Sequence, residues 1–567
     1  MKRLVGAVLI ALVAAMFLLP LYSPAPEVPD GGILVLELEG RIEETPALDP
    51  LAQFVARGPA LPSLLLLLDM AAADERIEQL VVRVRPLDCG YARLQELRAA
   101  LRRVRDAGKR VIAVLDLATL NATREYYLAS AADRIYVDPG HLGPVAGIAG
   151  QYLHLGGLFE RLGVAFEYER VGQYKSAVEG YASREMSAPA REMTEAIFDG
   201  LYARLVDDIA EGRGLSRAEV AERIDRAPGT ARELVDAGLA DGIAGASEIF
   251  ERAGLDAEKR VDAADYRRVS PTSLGLRFGP KIAMVFGDGA IVQSGSGPFS
   301  PPGFATDRVS EAIEEAVEDP EVRAIVLRVN SGGGSALASD QLWRTLMRAR
   351  EDKPVVVSMG DAAASGGYYV ASGADAIVSG SATLTGSIGV FVLRASLAGV
   401  YEKLDIGSEV ISRGRYASVM GGDQPLTPEQ RERTADYVQA AYRGFLDRIH
   451  EGRGADPEEV DRVGQGRVWL GGAAHDLGLV DRIGGLHEAV ELAKQKADIA
   501  ADVDPERVVY PGPRGFFEQL SELMSADAGS TLRQLLLPLA PPQLPDWLWF
   551  PLEGELAYLP THWVEIR

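Results

Sequence analysis

Residues 359–375, M-G-D-A-A-A-S-G-G-Y-Y-V-A-S-G-A-D, set Ser365 after a β-branched run, among small residues, and before two glycines and a helix-like stretch. Small neighbours leave a hydroxyl open to substrate, and a nucleophile at a strand-to-helix turn gains the field of the helix N-terminus. The same placement also suits an ordinary helix cap. A second segment, R-V-N-S-G-G-G-S at 328–335, runs from a strand through three glycines. Glycines there let backbone N–H groups face an anion, or simply form a tight turn. A third, S-A-T-L-T-G-S-I-G-V at 381–390, offers hydroxyls near a strand start.

A serine nucleophile needs a base, and no histidine falls between residues 324 and 390. A lysine can substitute if its pKa falls from about 10.4 towards neutrality, a change of roughly 3 units or about 4 kcal/mol that burial without a counter-ion supplies. Such a lysine must be buried and kept from carboxylates. One candidate is Lys175 in V-G-Q-Y-K-S-A-V-E-G, residues 171–180.

An internal repeat singles it out. R-E-Y-Y-L-A-S-A-A-D at 124 pairs with G-G-Y-Y-V-A-S-G-A-D at 366, an offset of 242 residues. E-G-R-G at 211 recurs at 451, and V-D-A-G-L-A-D-G-I at 235 pairs with H-D-L-G-L-V-D-R-I at 475, both offset by 240. In this frame Lys175 matches Ala417 of R-G-R-Y-A-S-V-M-G-G, while Ser365 matches Thr123, and 52 residues separate the two positions in each copy. The first copy also replaces the triple glycine by R-V-R-P-L-D-C-G, with only Gly90. Each copy keeps what the other lost.

The elements that must position these residues are α/β units. In the second copy A-I-V-L-R-V (324–329) and P-V-V-V-S-M (354–359) read as buried strands around a helix over 340–351, and the first copy repeats that order. The Pro- and Ser-bearing stretch 262–280 divides the copies. The expected organisation is an N-terminal anchor at 1–25, a first repeat at 26–272 supplying the lysine, a second at 273–499 supplying the serine, and a Pro- and Trp-rich tail at 500–567. P-D-W-L-W-F-P at 545–551 suits a packing arm or a membrane interface.

Composition narrows the function. With 567 residues, 47% of them hydrophobic, the chain is long enough for two or more cores. A net charge of -23 argues against nucleic acid, which needs clustered cations. The single cysteine, Cys89, excludes an intrachain disulfide, and the six histidines have no pair at metal-binding spacing, so no metal is expected. Residues 4–22 form an apolar run of about membrane-spanning length, and Lys2 and Arg3 before it orient the remainder across the membrane. A cleaved signal peptide is the alternative, but Y-S-P-A-P lacks a clean small-x-small site.

As a set, G-D-A-A-A-S-G-G-Y-Y-V-A, V-G-Q-Y-K-S-A-V-E, N-S-G-G-G-S and T-G-S-I-G-V strongly resemble the long, duplicated bacterial form of the signal peptide peptidase A family, over roughly residues 30 to 515. The resemblance implies tandem crotonase/ClpP-like repeats behind an N-terminal transmembrane helix, and a serine endopeptidase without cofactor that degrades remnant signal peptides. It implies Ser365 as nucleophile, Lys175 as general base, Ser387 as hydrogen-bond partner of the amine, and Gly333, Gly334 and Gly366 as oxyanion donors. It further implies a homotetramer on the periplasmic side of the inner membrane, acting on extended apolar peptides, with the lysine of one subunit meeting the serine of the next. The sequence leaves open whether the pair forms within or between chains. Gly332 departs from the family, which usually has proline there. Two other readings are a non-catalytic membrane scaffold and an acyl-CoA enzyme of the crotonase type; the latter conflicts with a compartment where CoA is not expected.

Overall fold

The computed structural model describes residues 27–46, 58–274, 278–294, 304–422, 424–512 and 557–558. The anchor read at 1–25 and the tail motif at 545–551 lie outside the described residues.

In the first repeat β1 (Gly32–Arg41), β2 (Ile77–Asp88), β3 (Arg110–Leu115) and β4 (Arg134–Val137) are followed by β5 (Ala165–Val171), which stands outside their sheet, then by β6 (Gly242–Ile243) and β7 (Arg260–Asp262). The sheet order is β6-β4-β3-β2-β1-β7, with parallel pairing throughout. Continuous apolar runs such as I-L-V-L and V-I-A-V-L form these strands because helices cover a parallel sheet on both faces.

The second repeat begins with β8 (Phe278–Asp288), followed by the short β9 (Ile291–Val292) and β10 (Phe304–Ala305). Next come β11 (Val322–Ser331), β12 (Gly333–Gly334), β13 (Val355–Ala364), β14 (Ala376–Ser379), β15 (Leu384–Gly386) and β16 (Val390–Ser396). β17 (Val468–Leu470), β18 (Arg482–Ile483) and β19 (Asp504–Tyr510) complete its main sheet. There β18-β14-β13-β11-β8-β19 repeats the six-strand order of the first repeat, and β15 and β17 continue from β13.

The duplication reaches individual hydrogen bonds. Tyr126 donates its hydroxyl to Leu239 O at 2.9 Å, and Tyr368 donates to Leu479 O at 3.0 Å. Ile135 N donates to Asp241 and Ile377 N to Asp481. Helices Ala188–Arg213 and Pro428–Arg453 both have 26 residues and end at a left-handed glycine, Gly214 and Gly454.

Two elements differ from the sequence expectation. β13 runs on to Ala364 instead of stopping at Met359, because Ala362–Ala364 pairs with β15; strand propensity does not reveal an alanine run held by its neighbour. Residues 504–510, expected in a tail outside both repeats, form β19 at the edge of the second sheet, in the place that β7 takes in the first. Strand pairing across more than two hundred residues of chain leaves no local signal.

The repeats are joined by pairing and by charge. β5 of the first and β16 of the second form an antiparallel ribbon over seven residue pairs, Ala165↔Ser396 to Val171↔Val390. On β11, Arg328, 1% exposed, donates to Glu44 at 2.9 and 3.3 Å and to Glu96 at 2.6 Å, both from the first repeat. Asp361 on β13 accepts the Gly90 and Arg93 amides at 2.9 and 3.1 Å and pairs with the Arg93 side chain.

Candidate active site

Ser365 sits where β13 ends and the helix Gly366–Ala371 begins. Its φ of 54° lies in the left-handed region, a conformation costing a non-glycine residue roughly 1–3 kcal/mol and upheld by its surroundings. Here β15 provides the support: Ser365 N donates to Gly386 O at 2.8 Å. The next residue after β15, Ser387, has φ 49° and donates its amide to Arg467 O at 2.7 Å. Two strained turns side by side bring both serines to one point.

Lys175 reaches that point from the other repeat. The β5–β16 ribbon sets the approach, since Lys175 follows β5 by four residues and Ser387 precedes β16 by three. The lysine loop is threaded between glycines: a Cβ at Gly466 would lie 2.5 Å from Lys175 N and 2.6 Å from its Cβ, and one at Gly172 would lie 2.3 Å from the carbonyl carbon of Gln465. Tyr174 N donates to Gln465 O at 3.0 Å.

The amine ends 2.9 Å from Ser365 Oγ, 2.9 Å from Ser387 O and 3.0 Å from Ser387 Oγ. All three partners are neutral. Lys175 is 1% exposed, and burial pushes its ammonium from the ordinary 10.5 down to about 7. A neutral amine has two N–H bonds and one lone pair, so it donates to the two Ser387 oxygens and accepts the Ser365 hydroxyl proton. Burial and separation from carboxylates, the two conditions the chemistry demands, are both met. Glu179, four residues on, is turned to Arg170 at 3.0 Å and to Ser187 Oγ at 2.7 Å, and Arg170 also donates to Lys175 O at 2.9 Å.

The serine and lysine come together within one chain. The arrangement between subunits implied by the family resemblance is therefore not needed to assemble the pair, because the ribbon delivers the lysine from the first repeat to the second.

The glycine loop packs against the nucleophile's helix. A Cβ at Gly366 would lie 2.6 Å from Ser339 Oγ and 3.2 Å from Gly334 N, so only glycine permits this approach. The Gly333 amide donates to Ser331 Oγ at 3.1 Å, while Gly334, paired with β9 and β20, and Gly366 bring their amides beside Ser365. Gly333 has φ 112° and supplies the turn. Ala557–Tyr558, a strand β20, lies antiparallel along Gly333–Gly334. A cavity of about 110 Å³ is lined by Ala177, two residues past Lys175, and by Met193, Ile197, Leu384 and Val468, with His154 and Glu179 also at its wall.

The structure brings together Ser365, Lys175, Ser387 and the glycines expected from the sequence, with the Gly333 amide turned to Ser331 instead of serving as an oxyanion donor. Sequence reasoning missed Arg170, Gly466 and Arg467, which have no counterpart motif and join the site only through contacts between repeats. Among the described residues no group of His, Cys, Asp and Glu could hold a metal ion.

Comparison with known proteins bears on both halves. The description Peptidase family S49 matches residues 103–260 and again 347–500, one match in each repeat. The chain belongs to peptidase family S49. This S49 chain is similar to the protein named Serine protease SPPA, chloroplastic, of Arabidopsis thaliana, at 35% identity over 486 residues, 84% of this chain and 71% of that protein. It is also similar to Protease 4 of Salmonella typhi, at 33% identity over 70% of this chain and 66% of that protein. A solved mutant of ClpP1 from Listeria monocytogenes aligns with 36% of the S49 chain and 94% of its own at 16% identity, with a TM-score of 0.25. The S49 chain is a serine protease.

Proposed function

We propose that this S49 serine protease is a membrane-anchored endopeptidase that degrades remnant signal peptides, with Ser365 as nucleophile and Lys175 as general base. The observation that carries the mechanism is the 2.9 Å contact between Lys175 Nζ and Ser365 Oγ in a pocket without a charged partner for the amine. Lys175 takes the hydroxyl proton as Ser365 Oγ attacks the scissile carbonyl. Gly334 and Gly366 amides hold the oxyanion, where such donors contribute most. The tetrahedral species expels the amine, which takes the proton from Lys175, and the lysine then deprotonates the water that releases the acyl group. Ser387 orients the amine through both its oxygens.

Support for an extended apolar substrate comes from the apolar cavity lined by Ser176 and Ala177, which follow Lys175, and from the edge of β12, along which a short strand already lies antiparallel. Signal peptides have that character. The apolar run 4–22 behind Lys2 and Arg3 supports an anchor in the inner membrane with the catalytic body on the periplasmic side, and a homotetramer is the assembly proposed there. Among the described residues no helix is long and apolar enough to cross a membrane.

Ser365→Ala and Lys175→Ala should each abolish cleavage of a synthetic signal peptide while the protein still folds and melts cooperatively. Substantial turnover by either variant refutes the pair. Equal cleavage of signal peptides and of polar peptides of the same length refutes the substrate assignment and leaves the mechanism standing.

A further inference from the structure

The amine is oriented by Ser387 and carried by the loop that contains Tyr174. One residue touches both. The guanidinium of Arg467 lies 4.7 Å from the Tyr174 ring centroid and 4.5 Å from that of Trp469, and its Nη1 donates to Glu192 at 2.6 Å. Its carbonyl accepts the Ser387 amide at 2.7 Å. A planar guanidinium between two rings is a rigid clamp that an ammonium cannot reproduce.

The first repeat provides the internal comparison. There Val145, 242 residues before Ser387, donates its amide to Pro228 O at 3.1 Å, one position along from Ala227, the residue 240 before Arg467. Ala227 stands where Arg467 does, and its methyl group can neither stack nor pair. The copy that receives a lysine has both the hydroxyl and the guanidinium, and the copy that receives none has neither.

We propose that Arg467 is a positioning residue for the general base, clamping the lysine loop of the first repeat onto the turn that carries Ser387. Tyr174 is its platform on one side and Trp469 on the other, and Val468 N, donating to Met193 Sδ at 3.1 Å, fastens the same segment to helix Ala188–Arg213. The charged groups around the loop are already paired among themselves: Arg170 with Glu179, Arg467 with Glu192, Arg394 and Arg431 with Glu167, and Arg431 with Glu169. His154 stands at the cavity wall. The clamp's contribution to the base is therefore the exclusion of water more than a direct charge.

This inference rests on Lys175 being the base, and its test separates the two. The pH dependence of kcat/KM on an apolar fluorogenic peptide, and of Ser365 labelling by a fluorophosphonate, should be measured for Arg467→Ala, Arg467→Lys, Tyr174→Ala and Trp469→Phe. Loosening the loop admits water to the amine, so the acid limb should move from about 7 to higher pH in Arg467→Ala. A rise of about one unit lowers the rate at neutral pH about fivefold, through kcat more than KM. Arg467→Lys should behave like Arg467→Ala, whereas Trp469→Phe, which keeps a ring face, should behave like the parent. Leu446→Ala, in the core of the second repeat, controls for loss of stability alone. If Arg467→Ala melts lower but keeps its acid limb near the parental value, Arg467 is merely structural and the proposal fails. Should Arg467→Ala not fold, Tyr174→Ala must show the shift or the proposal fails equally. Activity retained by Lys175→Ala would instead refute the base assignment.

Discussion

Replacing Lys175 by Met should make the stability of this protein respond differently to pH, by an amount set by the amine's burial. In the folded chain the ammonium is pushed from 10.5 down to about 7, with burial as the cause. At about 1.4 kcal/mol per unit, holding this group in the folded state costs roughly 5 kcal/mol at and below about pH 7. The direction follows from proton counts. Between about pH 7 and 10.5 the unfolded state binds a proton at this site that the folded state lacks, so stability rises with pH across that window. Below about pH 7 both states are protonated and the penalty is fully present; above 10.5 it is gone. Methionine fills a similar volume without a charge. It also leaves Ser387 O without the amine, a loss of about 1–3 kcal/mol that does not depend on pH. The variant should therefore exceed the parent by roughly 2–4 kcal/mol at pH 6, and the gap should close by about 1.4 kcal/mol per unit from pH 7 upward. Urea unfolding of both proteins at pH 6, 7, 8 and 9 measures it. A gap independent of pH over that range would refute the assignment of a neutral buried amine.

Other perturbations probe the same construction at separate points. Ser387→Ala removes the 3.0 Å hydroxyl contact and should lower kcat/KM by about 10- to 100-fold in steady-state assays, with the Ser365→Ala variant as the floor. Gly466→Ala would set a Cβ 2.5 Å from Lys175 N at φ 75°, so peptide cleavage should fall at least about tenfold, measurable as slower acylation by a fluorophosphonate. Arg328→Met leaves Glu44 and Glu96 buried without their cation and should destabilise the joined repeats by about 3–5 kcal/mol, seen as a large drop in melting temperature. Little change on calorimetry would show that Arg328 does not bind the repeats together.

Much of the site was legible because its chemistry is restrictive. Only a serine beside small residues, a lysine without a local carboxylate and a glycine-bearing turn satisfy acyl transfer without histidine. The repeat frame then showed that Lys175 and Ser365 were each missing from the other copy. The central strands of each repeat were legible too, since buried parallel strands have apolar runs that a sequence displays. Arg467 was not, because a guanidinium between two rings is defined by contacts across 293 residues of chain, from Tyr174 to Arg467. Nor was β19, whose D-P-E-R-V-V-Y carries too few apolar residues to read as a strand before its partner is known.

What the sequence determined by itself is the inventory: two α/β repeats, a lysine in one, a serine in the other, and glycines where a backbone must come close. Residue type and spacing are local properties, and the chemistry of a Ser/Lys pair follows from them. The tertiary structure alone decided that one chain closes the pair, which amides lie beside Ser365, and how far the amine's pKa falls. Each of these depends on what surrounds an atom in space, and the β5–β16 ribbon, not chain proximity, brings residues 190 positions apart to 2.9 Å.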